Sequence, residues 1–254
     1  MTIAITREIS PRFDECELTH IERTPIDLDL ARAQHRAYVD ALKQLGCDLI
    51  GLPAEPDLPD SVFVEDTAFI LPDVAVITRP GADSRKPETE SILRALSPHI
   101  DLVQVREPAT VDGGDVLVLG KQIYIGLSTR SNRAALAQLN ELLQKHDYSI
   151  TSVEVHGCLH LKSAVTRVND KTLLINKDWV DSSCFADFEF IEVDPSEASA
   201  ANCLPVGDSI VFPLAFPKTS AKLGERGYKV LTVDISELAK AEGAVTCCSL
   251  ILPD

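Results

Sequence analysis

The sequence predicts an α/β fold, a five-bladed α/β propeller in which a strand–strand–helix–strand unit repeats with pseudo-fivefold symmetry. Strand-like runs recur in pairs, each joined by a short segment containing Asp, Asn, Pro, Gly or Lys, as is typical of hairpins. A helical or polar stretch and a further strand follow each pair. The first strands begin near residues 62, 116, 164, 203 and 245, and their spacings of 54, 48, 39 and 42 residues indicate a repeat architecture.

One unit is divided between the two ends of the chain. A strand at 3–5 precedes a helix at 29–45, which Gly46 closes, and a strand at 47–52 follows. The strand at 245–252 has no helix behind it. Pairing it with the strand at 3–5 completes the unit and satisfies the edge strands that an open array would leave exposed.

The other four units are complete. Their hairpins lie at 62–79, 116–127, 164–176 and 203–214, and their last strands lie at 101–105, 149–155, 190–193 and 229–235. One intervening helix begins near Pro87, a second carries a 3.6-residue apolar period, and a third spans 217–227. The apolar positions are Ile92, Leu93 and Leu96 in the first helix, and Ala134, Leu136, Leu139, Leu142 and Leu143 in the second. The stretch 177–189 has only weak helical periodicity.

The domain organisation follows from the same pattern. No long Gly- or Ser-rich linker interrupts the chain, so residues 1–254 are predicted to form a single domain. The alternative interpretation is a generic α/β sandwich that lacks symmetry.

The charge balance limits the classes of partner. Asp and Glu number 39 against 24 Lys and Arg, which gives a net charge of −15. A field of that sign disfavours nucleic acid and anionic membranes and favours cationic ligands, although it also serves solubility. Aromatic residues make up 5% of the chain, with a single Trp, so a base-stacking platform is not expected. No run approaches the roughly 18 apolar residues that span a bilayer.

The cysteines indicate a reducing compartment. The chain has seven, an odd number without the spacing of a disulfide framework, and its N-terminus has no apolar run resembling a signal peptide. A cytoplasmic location with reduced thiols is therefore expected, and any single cysteine becomes a candidate for chemistry.

Polar residues that are costly to bury lie just ahead of, or within, the first strands of the units. They form the segments PDSVFVED (59–66), TVDGGD (110–115), HLKS (160–163) and TCCS (246–249). In a closed ring these segments meet at one end of the central channel, as a nucleophile, a base and substrate-holding groups must. Each segment alone could be a turn, a solvated strand face or, for the cysteines, buried apolar filling. Their recurrence at equivalent positions favours an active site.

These motifs resemble a known enzyme family. TVDGGDVLVLG, GLSTRSN, LHLKS, AANC and GAVTCCSL, together with LPDSVFVED and ITRPGADSR, are similar to motifs of the dimethylarginine dimethylaminohydrolases, which belong to the guanidino-modifying pentein-fold superfamily. The resemblance runs from about residue 18 to 252 and implies the same fivefold ring.

The resemblance also implies a role for individual residues. Cys247 corresponds to the nucleophile, His160 to the general acid/base, and Asp112 to the carboxylate that orients the histidine, where some members have Glu. Substrate-binding positions are Asp60, Glu65 and Asp66 at the guanidinium, Arg85 and Arg130 at the substrate carboxylate, and Leu18 and Ala241, whose carbonyls meet the α-amino group. Cys248 is expected to face away, because consecutive strand residues point to opposite sides. No metal or cofactor is implied, and a homodimer is one expected assembly.

The implied reaction is hydrolysis of the guanidinium C–N bond of an Nω-methylated arginine. The substrate is asymmetric dimethylarginine or monomethylarginine, and citrulline and an alkylamine leave by way of a covalent S-alkylthiouronium. Carboxylates hold the planar cation, a sulfur nucleophile adds to its carbon, and a histidine protonates the leaving amine and then activates water.

Other functions stay open at this point. The same superfamily includes arginine deiminases, agmatine deiminases, citrulline hydrolases and amidinotransferases, and a hydrolase of citrulline or another ω-modified arginine is the nearest alternative. A metal site could use Cys158 and His160 with Cys247 and Cys248, although this spacing suits structural zinc poorly. A non-catalytic ring that binds a basic ligand would require Cys247 to be inert.

Overall fold

The computed structural model describes residues 2–252 as a set of short strands and helices. In chain order the strands are β1 (Ile3–Arg7), β2 (Asp48–Leu52), β3 (Ala68–Ile70), β4 (Ala75–Ile77), β5 (Leu102–Gln104), β6 (Val116–Leu119), β7 (Gln122–Leu127), β8 (Ser149–Glu154), β9 (Val165–Arg167), β10 (Thr172–Ile175), β11 (Glu189–Glu192), β12 (Leu204–Val206), β13 (Ser209–Pro213), β14 (Lys229–Val233) and β15 (Leu250–Leu252). The α-helices are α1 (Leu28–Gln44), α2 (Glu88–Leu96), α3 (Arg133–Leu143), α4 (Leu161–Ala164), α5 (Pro217–Glu225) and α6 (Ser236–Ala239).

The strands form five three-stranded sheets with one shared topology. Blade 1 holds β15, β1 and β2; blade 2 holds β3 to β5; blade 3 holds β6 to β8; blade 4 holds β9 to β11; and blade 5 holds β12 to β14. In every blade the middle strand pairs antiparallel with the strand before it in the unit and parallel with the one after it. Blade 1 joins the two chain ends, because β1 pairs with β15. The predicted five-bladed α/β propeller is confirmed.

Apolar packing between neighbouring blades explains why the ring closes. Buried apolar side chains of residues 2–252 form five clusters, and each lies between two adjacent blades. Successive residues of a middle strand serve opposite clusters: Ile123 and Ile125 pack towards blade 2, whereas Tyr124 packs towards blade 4. Because a middle strand is buried on both faces, its sequence is continuously apolar rather than alternating.

Helices connect the middle and last strands of four blades. Asp27 caps the start of α1: its carboxylate accepts the N–H groups of Asp29 and Leu30 at 3.0 Å, and Asn132 caps α3 in a similar way. In blade 4 the connection is a short 3₁₀ turn, Ser182–Phe185, which accounts for the weak periodicity of 177–189. No helix of the described chain is both long and apolar enough to cross a membrane.

Two of the predicted strands are much shorter than expected. The run from residue 62 to 70 begins with a 3₁₀ turn, Val64–Thr67, and only Ala68–Ile70 forms a strand. The strand predicted at 245–252 is wrong over its first half, because Val245–Cys248 is a turn and pairing starts at Leu250. In both places the chain leaves the sheet where polar side chains enter the centre of the ring.

Candidate active site

Hydrogen bonds join all five blades in a circle around one end of the ring. Each bond lies just ahead of the first strand of a blade, where the polar motifs occur. The Glu65 N–H donates to the Cys247 carbonyl (3.1 Å), the Gly114 N–H to Asp66 Oδ1 (3.0 Å), the Leu161 N–H to Asp115 Oδ1 (2.9 Å), Asn202 Nδ2 to the Lys162 carbonyl (3.0 Å), and the Thr246 N–H to Asn202 Oδ1 (3.1 Å). The predicted convergence of these motifs is therefore present, and blade 5 adds Asn202.

His160 lies between two buried carboxylates. It directly precedes α4, its Nε2 is 3.2 Å from Asp112 Oδ2, and its Nδ1 is 3.8 Å from Asp66 Oδ1. Burial alone would lower the pKa of His160, but the carboxylates of Asp66, Asp115 and Asp112 outweigh it and raise that pKa to about 9. The imidazole is therefore cationic near neutral pH, and can donate a proton.

Asp112 is fully buried and held from three directions. Its Oδ1 accepts the Gly81 N–H at 2.8 Å, its own N–H donates to Ser131 Oγ at 3.1 Å, and Arg130 Nη1 is 3.9 Å from Oδ2. Gly114 of the DGGD motif allows the His160 ring to approach the backbone closely, because a Cβ at this position would lie 2.5 Å from His160 Nδ1. The carboxylate can thus orient the histidine without entering the substrate cavity.

Cys247 lies in the turn that precedes β15, the first strand of blade 1. Its Sγ accepts the Ala244 N–H at 3.4 Å, and the hydroxyl of Tyr38 on α1 contacts both the Val245 carbonyl (2.8 Å) and Ser249 Oγ (2.7 Å). Burial, followed by the negative charges of Glu65 and Asp66, raises the pKa of Cys247 well above its usual range. The free protein therefore holds a neutral thiol.

Cys248 is oriented differently from the adjacent Cys247. Its thiol is fully buried and donates to the Ala244 carbonyl at 3.6 Å. It lies outside the cavity lining, as expected, but a turn rather than strand alternation separates the two thiols.

Arg85 is bound almost completely by protein groups. Its Nε and Nη2 donate to the carboxylate of Glu88 (3.1 and 2.9 Å), and its Nη1 donates to Asp66 Oδ2 at 2.6 Å. Nη2 also lies 3.3 and 3.2 Å from the carbonyls of Asp60 and Phe63. Burial would raise the pKa of Asp66, but the charges on His160 and Arg85 and the Gly114 N–H hold it at about 2. Asp66 is thus an anion fixed beside the histidine.

Arg130 has far fewer partners. Its Nη2 donates to Thr19 Oγ1 at 3.1 Å, and its Nη1 makes only the long contact with Asp112. Most of its donors are uncommitted among residues 2–252, which suits a group that receives an anionic ligand.

The segment 17–20 lies over the cavity and is held there by two carboxylates. Asp60 accepts the Glu17 N–H at 3.1 and 3.2 Å, and the carboxylate of Glu242 accepts the N–H groups of Thr19 (2.6 Å) and His20 (2.8 Å). Glu242 has a left-handed backbone, with φ of 58°, that non-glycine residues rarely adopt. The cavity holds about 10 Å³, roughly the space of one water molecule, so it must widen to hold a ligand of amino-acid size.

The predicted site residues divide into two groups. Seven line this cavity: Asp60, Asp66, Arg85, Arg130, His160, Ala241 and Cys247. Three do not: Asp112 lies behind His160, Glu65 contacts Thr246 and Lys162, and the Leu18 side chain packs against the apolar cluster between blades 1 and 5.

Sequence reasoning missed several residues that shape the site: Tyr38, Glu88, Asp115, Lys162, Asn202 and Thr246. Asp115 accepts the hydroxyls of Ser128 (2.5 Å) and Ser131 (2.6 Å) as well as the Leu161 N–H, and so holds the start of α4 next to His160. Burial raises the pKa of Asp115 to about 6 despite these bonds. Its position within the DGGD motif, and that of Asn202 within AANC, was the available signal.

One group of described residues brings potential metal ligands together, namely Asp66, Asp112 and His160. Their atoms are already paired with one another, with Arg85 and with backbone N–H groups. No cysteine joins that group, and the Cys158 thiol donates to the His160 carbonyl at 3.4 Å. The site therefore offers no support for a cysteine-ligated metal.

Comparison with known proteins agrees with this geometry. A model of the eukaryotic N,N-dimethylarginine dimethylhydrolase family matches residues 17–189. The N(G),N(G)-dimethylarginine dimethylaminohydrolase of Streptomyces coelicolor is 40% identical over 98% of this chain and 96% of its own, and that of Pseudomonas aeruginosa is 38% identical over 87% and 89%.

Solved structures agree as well. A cysteine-to-serine variant of the Pseudomonas aeruginosa enzyme complexed with citrulline superposes with a TM-score of 0.93, at 35% identity and 98% coverage of both chains. The N-terminal domain of a cyanobacterial arginine dihydrolase shares the fold alone, with a TM-score of 0.84 at 18% identity. The chain thus belongs to the dimethylarginine dimethylaminohydrolase family of hydrolytic enzymes.

Proposed function

We propose that this protein hydrolyses Nω-methylated arginines, asymmetric dimethylarginine and monomethylarginine, to citrulline and an alkylamine. The observation that carries the proposal is that Cys247 and His160 line one cavity with Asp60, Asp66 and Arg130. A thiol, a proton donor, carboxylates for a cation and a free guanidinium for a carboxylate are the groups this reaction requires. Relatives 38–40% identical that carry the dimethylaminohydrolase name support the same activity.

The substrate would lie between the two ends of this cavity. Its guanidinium would contact the fixed anion Asp66, with Asp60 nearby, which places the guanidinium carbon within reach of Cys247. Its carboxylate would bind Arg130. Arg85 Nη1 donates one hydrogen to Asp66, and its second hydrogen would also bind the substrate carboxylate. The carbonyls of Ala241 and Leu18 are the proposed acceptors for the α-amino group. The cavity would then select an intact amino acid.

The reaction divides into two stages. The bound cation lowers the pKa of the Cys247 thiol, whose proton passes to solvent, and the thiolate adds to the guanidinium carbon. The His160 imidazolium gives its proton to the methylated amine, whose C–N bond breaks and leaves an S-alkylthiouronium on Cys247. Neutral His160 then takes a proton from water, the hydroxide adds to the same carbon, and the C–S bond breaks to release citrulline. Asp112 and Asp66 stabilise the imidazolium in the stages in which His160 is protonated.

A substrate panel tests this function. The protein is incubated separately with asymmetric dimethylarginine, monomethylarginine, arginine, agmatine and citrulline, and alkylamine, ammonia and ureido product are measured. We expect alkylamine and citrulline in equal amounts from the two methylated substrates, and no product with Cys247→Ser. Faster release of ammonia from arginine or from citrulline would instead assign one of the related superfamily reactions. A cytoplasmic location and a homodimer stay predictions.

A further inference from the structure

An ion pair crosses the centre of the ring between two blades that are not neighbours. Lys162, on α4 at the start of blade 4, extends its ammonium to Glu65 Oε1 of blade 2 at 2.5 Å. The Lys162 and Glu65 side chains are 15% and 10% exposed. In the circle of hydrogen bonds described above each blade contacts only its neighbours, so this pair adds a link across the circle.

Glu65 connects this link to the nucleophile. Its second oxygen, Oε2, accepts the hydroxyl of Thr246 at 2.6 Å, and its N–H donates to the carbonyl of Cys247. The carboxylate is therefore bound at one oxygen by Lys162 and at the other by Thr246, the residue that precedes Cys247. Both of its oxygens have protein partners and neither lines the cavity, so it is not placed to bind substrate directly.

We propose that Lys162 is a positioning residue for the reaction: its ammonium holds the Glu65 carboxylate in place and offsets the negative charge beside Cys247. This inference rests on the proposed role of Cys247 as nucleophile. Without the ammonium, a bare buried carboxylate would oppose formation of the thiolate, and the acceptor of the Thr246 hydroxyl would be held less firmly.

The electrostatic surroundings support this role. Burial is the largest cause of the raised pKa of the Cys247 thiol, and the negative charges of Glu65 and Asp66 raise it further. Lys162 is the cation bound to Glu65. The charged and titratable groups around the thiol are Glu17, Tyr38, Asp60, Glu65, Asp66, Arg85, Arg130, His160, Glu242 and Cys248. Asp66 already has Arg85, so removal of Lys162 leaves Glu65 as the carboxylate of the pair without a cation.

The test measures the thiol directly and needs no turnover. The rate of alkylation of Cys247 by iodoacetamide is followed against pH by peptide mass spectrometry, in a Cys184→Ser background because Cys184 is partly exposed. We expect Lys162→Met to raise the midpoint of this pH dependence by half a pH unit or more. At a fixed pH below the midpoint, alkylation of Cys247 would then be about threefold slower. Lys162→Arg should restore the midpoint, and Glu65→Gln in the Lys162→Met background should lower it again.

Lys177→Met is the matched control. Lys177 forms a surface ion pair with Glu192 at 2.6 Å in the same blade, and its loss should leave the midpoint unchanged. An unshifted midpoint in Lys162→Met, or an equal shift in Lys177→Met, overturns the proposal. If Lys162→Met does not fold, Glu65→Gln alone decides, because it must lower the midpoint. Failure of the proposed function is distinct from these results: it would appear as absent turnover in the unmodified protein whatever the midpoints.

Discussion

Replacement by alanine should affect different properties at the two arginines of the cavity: stability at Arg85 and substrate binding at Arg130. Arg85, Asp66 and Glu88 have side chains no more than 4% exposed, so Arg85→Ala leaves the buried Glu88 without its cation and Asp66 with only the longer contact to His160. Breaking a buried ion pair in this way costs about 3–5 kcal/mol of unfolding free energy. At about 2–4 °C per kcal/mol for a chain of this size, the melting temperature should fall by roughly 6–20 °C.

Arg130→Ala should instead weaken substrate binding. The protein loses one hydrogen bond to Thr19 and a long ion pair, worth about 1 kcal/mol of stability. The substrate carboxylate loses charge-assisted hydrogen bonds worth about 1.5–3 kcal/mol, which corresponds to a roughly 10- to 150-fold higher KM. The value of kcat should change less, because the carboxylate is remote from the bond that breaks.

Thermal unfolding and steady-state kinetics of both variants provide the measurement. Nω-methylated agmatine, which lacks the carboxylate, is the matched substrate: it should react equally poorly with the unmodified protein and with Arg130→Ala. If Arg130→Ala kept the original KM for methylarginine, or if Arg85→Ala melted at the original temperature, the division of roles between the two arginines would be refuted.

Three further predictions concern stability and the nucleophile. Burial lowers the pKa of His35 from 6.5 to about 4, so protonation of this group favours the unfolded chain as pH falls. From pH 7 to 5.5 the change in unfolding free energy, measured in urea, should therefore be about 1 kcal/mol less favourable in the unmodified protein than in His35→Leu. Equal changes in the two proteins would exclude this cause. Asp115→Ala should lower the unfolding free energy by about 2–4 kcal/mol and reduce kcat. Asp115→Asn keeps an acceptor for the Leu161 N–H, so its unfolding free energy and kcat should fall less. Denaturation curves and kcat values that are the same in the two variants would contradict this. Cys247→Ser should lower turnover on the order of a thousandfold or more and should yield no covalent enzyme–substrate adduct when the reaction is quenched and analysed by mass spectrometry. Cys248→Ser should retain turnover and form the adduct. The reverse result would assign the nucleophile to Cys248.

The fold could be predicted because its signals are local. Middle strands such as β7 are buried on both faces and read as continuous apolar runs, and the side chains of Asp27 and Asn132 cap the starts of the helices α1 and α3. The errors fall where local signals are absent. The β-branched and apolar residues of 245–252 suggest one strand, but the Tyr38 hydroxyl and the bonds of Thr246 hold the first half in a turn.

The sequence indicated where the side chains of the site converge, but not which of them contact one another. The polar motifs ahead of the first strands indicated where side chains converge, since every blade places the same position at the same end of the ring. The partners within that cluster are distant in sequence: Lys162 and Glu65 are 97 residues apart, and Leu161 and Asp115 are 46 apart. Glu88 lies three residues from Arg85, a spacing that allows a local ion pair, but nothing near Arg85 in the chain indicates that Asp66 takes a further donor, because this depends on the folded ring.

The carboxylates of the site have two consequences that belong together. They attract a guanidinium, and they keep both His160 and Cys247 protonated while the cavity is empty, by raising the pKa of each. A permanent thiolate–imidazolium pair would need the pKa of the thiol to fall, which the negative charges of Glu65 and Asp66 oppose. In the proposed reaction the cation that reverses this field is the substrate itself, so the thiolate would form when the guanidinium binds. Alkylation of Cys247 by iodoacetamide should accordingly be slow at pH 7 and accelerate when a non-reactive guanidinium ligand that leaves the sulfur accessible is added. A rate at pH 7 already equal to its high-pH limit without ligand would show that this coupling does not operate.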